Sequence, residues 1–148
     1  MLDITTIKAV ILDMDGVIWR GPEPIGDLPD IFSRLYSRGW KVTLATNNAT
    51  RTIAQYVDRL SGYGVNVEPW QIVNSAIAAA QHLHNLFPRG GAVYTIGEEG
   101  LIQALAERGF FYAEENVLAV VVGMDRKLTY EKLRRATLLI RNGAPFIA

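Results

Sequence analysis

The chain has no cysteine, only two histidines, no surplus of either charge and no long apolar run. Without cysteine there is no disulfide, no thiolate metal site and no cysteine nucleophile. A cysteine-free chain folds in either redox environment, so this absence does not fix a compartment. His82 and His84 stand two apart on a helical stretch, so they face different sides and make no metal pair. Fifteen basic residues balance fifteen acidic ones, which leaves no basic excess for nonspecific nucleic-acid binding. The longest apolar runs, Ala9 to Leu12 and Val117 to Val122, fall far short of the ~20 residues that a spanning helix needs. Asp3 stands where a signal peptide would carry positive charge. The expectation is a cytoplasmic protein with neither nucleic acid nor membrane as partner.

What is present is an α/β rhythm over 148 residues, 49% of them hydrophobic. Apolar, β-rich runs occur at Ala9 to Leu12, Val42 to Ala45, Ala92 to Ile96, Leu118 to Val122 and Pro145 to Ala148. They show no alternation, which suits strands buried on both faces of a parallel sheet. Ile72 to Asn74 reads as one further short strand. Amphipathic stretches lie between these runs. Ile31, Leu35 and Tyr36 mark one helix, from about Asp27 to Arg38. Tyr56, Val57 and Leu60 mark a second, with Arg51 in its first turn. Ser75 is placed to cap a third, Leu101 and Leu105 mark a fourth, and Thr129 is placed to cap a fifth. Glycines follow the helical stretches, where a left-handed residue turns the chain into the next strand. Pro88, Gly90 and Gly91 suggest a boundary, giving units of about 1–88 and 89–148.

The most informative residues are Asp13-Met14-Asp15-Gly16, directly after the first strand. Ligands of open parallel sheets bind beyond the carboxyl ends of strands. Carboxylates two apart on extended backbone face the same way. They repel unless a cation sits between them. Oxygen donors in small number suit Mg²⁺, which keeps waters and pairs with phosphate. One carboxylate could attack phosphorus, with a metal offsetting the charge, while the other moves the proton. As a bare pattern, though, two aspartates also describe a strand that ends in a polar turn. The buried strand before them and Gly16 after them favour a site. The second strand ends in Thr46-Asn47-Asn48, whose hydroxyl and amides can donate to phosphate oxygens. Capping of the next helix is the competing role for Thr46 and Asn48.

DMDGVIWRG, then LATNN, then IVNSAIAAA closely resembles the haloacid-dehalogenase-like hydrolases. The similar branch is that of the NagD-type nucleotide phosphatases, p-nitrophenyl phosphatases and phosphoglycolate phosphatases. TIGEEGLIQALAERGF, VVVGMDRKLTYEKL and NGAPFIA look like the same branch's cap. The resemblance implies a partial Rossmann-like core followed by the first part of an α/β, C2-type cap. It implies Mg²⁺-dependent hydrolysis of small organic phosphomonoesters. Asp13 would be the nucleophile that becomes a phospho-aspartate, and Asp15 the general acid/base. Mg²⁺ would be held by the Asp13 carboxylate and the Asp15 carbonyl. Thr46 and Asn47 would bind the phosphoryl group, Gly16 would belong to that loop, and Val17 to Gly21 would form a flap.

The family pattern also needs a lysine after the cap and a late Gly-Asp motif with a further Asp, and neither is matched. Gly123-Met124-Asp125 resembles the acidic motif only superficially, because its surroundings match the cap. Lys127 and Lys132 read as surface lysines. The chain therefore reads as the front of a longer protein, ending in mid-strand at Phe146-Ile147-Ala148. Without a remainder the first strand would be an open edge. Either a homodimer that covers it or a missing C-terminal half is expected, with little activity from the 148 residues alone. Two rivals stand beside the phosphatase: a non-catalytic module on the same fold, and a receiver-like phospho-acceptor domain. A dinucleotide enzyme is disfavoured, since no G-x-G-x-x-G follows a strand. Trp19 and Arg20 are equally readable as substrate-facing residues and as ordinary surface packing. Phe110-Phe111-Tyr112 reads as core or a subunit contact.

Overall fold

The computed structural model describes residues 6–148, so Asp3 lies outside the described residues. Contacts divide the chain into two compact units. The first runs through Asn47 and resumes over Ile53–Val73; the second comprises Asn48–Thr52 and Asn74–Ala148.

In the first unit, β1 (Ala9–Asp13) leads through a hairpin of β2 (Trp19–Arg20) and β3 (Glu23–Pro24) to helix α1 (Leu28–Ser37). Asp27 caps α1 by accepting from the Asp30 amide at 3.1 Å, and Pro29 sits in its first turn. Then follow β4 (Lys41–Thr46), α2 (Ile53–Gly62), a single 3-10 turn at Pro69–Gln71 and β5 (Ile72–Asn74). The sheet order is β1-β4-β5. β1 and β4 run parallel, with Ala9 opposite Lys41 and Asp13 opposite Ala45. Leu28 and Phe32 of α1, Tyr56 and Leu60 of α2, and Val42 and Leu44 of β4 share one core with Met14 and Trp19. Full burial of such side chains is worth roughly 1.5–3 kcal/mol each. Gln71 ties β4 to the chain beyond it, donating to the Val42 carbonyl at 2.9 Å while accepting from the Glu68 amide at 2.9 Å.

The second unit carries α3 (Ser75–Leu86), β6 (Gly91–Ile96), α4 (Glu99–Ala106), β7 (Phe110–Tyr112), β8 (Val120–Val122), α5 (Tyr130–Arg141) and β9 (Phe146–Ile147). Its sheet has the order β7-β6-β8-β9, parallel throughout. Val93, Ala119 and Val121 face α3 and α4, while Tyr94, Ile96 and Val120 face α5. Helices on both faces of a parallel sheet are what the rhythm of the sequence predicted.

Several local expectations change. β1 does alternate: Ala9, Ile11 and Asp13 are exposed while Val10 and Leu12 are half-buried. Val10 and Leu12 pack against the core of this unit, while Ile11 on the opposite face is left open. Asn74, not Ser75, caps α3. Helix α2 begins at Ile53, beyond Arg51, because Asn48 accepts from both the amide and the hydroxyl of Thr50 and holds a loop there. The aromatic run Phe110–Tyr112 is a strand, with only Phe110 buried. Lys132 is paired rather than free at the surface, donating to an Asp125 carboxylate whose side chain is 4% exposed. Residues 87–91 lie within the second unit, because Ala76, Ala80 and Leu83 of α3 pack with Val93, Leu101 and Leu105. Among the described residues no helix is long and apolar enough to cross a membrane.

Candidate active site

All five residues singled out for chemistry, Asp13, Asp15, Gly16, Thr46 and Asn47, belong to the first unit, at the carboxyl ends of β1 and β4. Alternation along the chain buries Met14 completely and leaves Asp13 and Asp15 exposed on either side of it. The Asp13 carboxylate accepts from the following amide, that of Met14, at 2.9 Å. Its backbone partner across the sheet is Ala45, one residue before Thr46. Thr46 is buried, and its hydroxyl lies 3.5 Å from Asp15 Oδ2. Asp15 and Thr46 are therefore brought together across 31 residues of sequence. Asn47 follows on the exposed side of the strand end.

A tight turn sets the direction of the carboxylates. The Met14 carbonyl accepts from the amides of Ile18 and Trp19 at 2.9 and 3.2 Å, and the Gly16 amide donates to Trp19 at 2.7 Å. Gly16 has φ of +85° and nothing within 4 Å of where a Cβ would stand. Its glycine is thus required by backbone conformation rather than by crowding, at about 1–2 kcal/mol for any other residue.

Beneath the turn lies a cluster that the sequence reading did not assemble. Trp19 is fully buried and its indole donates to Asp15 Oδ1 at 2.8 Å. Tyr56 stacks on it nearly parallel, and the Arg59 guanidinium lies 4.0 Å from its ring centroid. Arg59 donates to the Gly21 carbonyl and Tyr63 to that of Pro22, which pins the hairpin loop to α2. The available signal was the spacing of Tyr56, Arg59 and Tyr63, three and four apart, which brings them to one side at the end of α2 and the turn that follows it.

No group of three or more His, Cys, Asp or Glu suited to a metal occurs among the described residues. What is present, two exposed carboxylates flanking a strand end, fits a hard cation that takes few protein ligands and keeps its waters.

The chain belongs to the haloacid dehalogenase-like hydrolase family, whose model matches residues 10–111. It is similar to phosphatases within that family. It is 38% identical to the 5'-nucleotidase YutF of Bacillus subtilis, over 97% of this chain and 56% of that protein. The 4-nitrophenylphosphatase of Thermotoga maritima superposes with a TM-score of 0.88 at 30% identity, over 96% of this chain and 54% of that one. A glycerol phosphate phosphatase from Mycobacterium tuberculosis, solved in complex with calcium, superposes with a TM-score of 0.81 at 28% identity, over 93% of this chain and 41% of that one. The chain spans about half the length of the curated relatives that it matches.

Proposed function

We propose that the site hydrolyses small organic phosphomonoesters through a phospho-aspartate on Asp13. The observation that carries this reading is the juxtaposition at the ends of β1 and β4: an exposed Asp13 in register with Ala45, the residue before Thr46, and Asp15 against the Thr46 hydroxyl. An Asp13 carboxylate oxygen attacks phosphorus and the P–O bond to the leaving alcohol breaks. Asp15 gives that alcohol its proton. Asp15 then takes a proton from a water that attacks the same phosphorus. Inorganic phosphate leaves and the Asp13 carboxylate is restored. Thr46 and Asn47 donate to the phosphoryl oxygens without adding charge, and the Gly16 turn lets the loop approach them closely.

The Asp13 carboxylate and the Asp15 carbonyl would hold Mg²⁺. When bound, it offsets the repulsion between the attacking carboxylate and the phosphate dianion. The first unit, which ends at Val73, would supply the front of the hydrolase core, and Asn74–Ala148 the first part of a cap. The names of the relatives, a nucleotidase and a nitrophenylphosphatase among them, support a phosphate ester as the substrate class.

The test is p-nitrophenyl phosphate hydrolysis with and without Mg²⁺, on the 148-residue chain and on a form extended to the length of its relatives. The extended form is expected to show Mg²⁺-dependent turnover that Asp13→Asn abolishes, and the shorter chain little or none. Full activity in Asp13→Asn would remove the nucleophile assignment.

A further inference from the structure

We propose that Trp19 is a positioning residue for the Asp15 carboxylate, an inference that rests on the acid/base role given to Asp15 above. An indole N–H donates and never accepts. Here it is carried by a ring with no exposed surface, and its acceptor is Asp15 Oδ1 at 2.8 Å. The ring cannot readily tilt. Tyr56 lies almost parallel to it, 6.3 Å between centroids and 6° between planes. Tyr63 packs at 6.2 Å, and the Arg59 guanidinium sits 4.0 Å from the ring centroid. Arg59 is itself fixed by donating to the Tyr63 hydroxyl at 3.2 Å and to the Gly21 carbonyl. A buried donor held in one place selects one orientation of the group it meets.

The consequence is an assignment of oxygens. Oδ1 is committed to the indole. Oδ2, which lies 3.5 Å from the Thr46 hydroxyl, is left to release a proton to the leaving alcohol and to recover one from water. Asp13, by contrast, accepts from the amide of its own neighbour, a local bond that any strand end can make. The hairpin beyond Trp19, pinned by Arg59 and Tyr63, thus serves the carboxylate: α2 holds the loop, the loop and α2 hold the ring, and the ring holds Asp15.

The experiment uses nuclear magnetic resonance on the 148-residue chain. Three indole N–H resonances are expected, from Trp19, Trp40 and Trp70, and Trp19→Phe identifies the first by its loss. In Asp15→Ala, the Trp19 indole proton is expected to move upfield and to exchange with solvent at least about tenfold faster. In Asp13→Ala it is expected to stay in place. In Trp19→Phe, which keeps a ring against Tyr56, the Asp15 β-protons should lose the distinct couplings of a single rotamer, while those of Asp13 are unchanged.

An indole proton indifferent to Asp15→Ala, or Asp15 couplings unchanged in Trp19→Phe, would overturn the proposal. A tryptophan that merely fills the core would give both of those results. Should Trp19→Phe fail to fold, Trp40→Phe and Trp70→Phe assign the resonance by elimination and the Asp15→Ala arm decides. Neither readout involves turnover, so a failure here is separable from a failure of the hydrolase reading, which the nitrophenyl phosphate assay tests.

Discussion

Replacement of Asn74 separates two jobs held by one buried amide. Asn74 is 2% exposed. Its oxygen accepts from the Ile77 amide at 2.9 Å and caps α3, while its nitrogen donates to the Arg51 carbonyl at 3.3 Å. Loss of the cap costs about 1 kcal/mol. Loss of the donor leaves the Arg51 carbonyl short of a partner. At 3.3 Å that bond belongs at the weak end of the usual range, about 1 kcal/mol and not above 2. Asn74→Ala is therefore expected to lower stability by about 2–3 kcal/mol. Asn74→Ser keeps an oxygen able to cap and loses only the donor, so it should cost about 1 kcal/mol. Urea unfolding followed by far-ultraviolet circular dichroism measures both. Amide exchange at Ile77 separates the jobs, speeding up in the alanine variant and not in the serine variant. Equal costs for the two variants, or an alanine variant within about 0.5 kcal/mol of the parent, would refute the division.

Three further outcomes are expected. Gly100→Ala should destabilise by about 1–3 kcal/mol or more in urea unfolding, because its Cβ would stand 2.2 Å from the Arg51 carbonyl oxygen and 2.6 Å from that of Ala49. Gly62→Ala, with open space at the same point, should instead gain up to about 1 kcal/mol. Lys132→Met should destabilise most at neutral pH. The Lys132 ammonium, foremost among its neighbours, holds the Asp125 carboxyl below the ordinary carboxylate range. A lowered folded-state value contributes stability that is full above about pH 4 and lost as pH falls through it. The stability gap between parent and variant should accordingly close in acid, and a gap independent of pH would count against the pair.

The parts of this molecule that were legible in the sequence are those set by local pattern. The buried runs at Val42 and Val120 became strands, Thr129 caps α5 through the Lys132 amide, and Asp13-x-Asp15-Gly16 lies at a strand end beside Thr46. Contacts between distant residues were not legible. Trp19 was equally readable as a surface or a substrate residue, because its fate depends on Tyr56, Arg59 and Tyr63, some 40 residues away. Burial of Asp125 was hidden for a similar reason: its partner Lys132 comes from the next helix and reads alone as a solvated charge. The third helix drew its expected cap from the commoner hydroxyl at Ser75, whereas the amide one residue earlier also meets the Arg51 carbonyl. The alternation of β1 was masked because apolar residues also occupy a face that packing leaves open, as Ile11 does at 74% exposure.

The most direct test of the nucleophile is to trap the acyl phosphate. The form extended to the length of its relatives is incubated with p-nitrophenyl phosphate and Mg²⁺, quenched with borohydride while nitrophenol is being released, digested and analysed by mass spectrometry. Borohydride reduces an aspartyl phosphate to homoserine. Homoserine is expected at position 13 alone and should vanish in Asp13→Asn. Homoserine at position 15, or at neither position during active release, would contradict the assignment of Asp13 as the group that carries the phosphoryl.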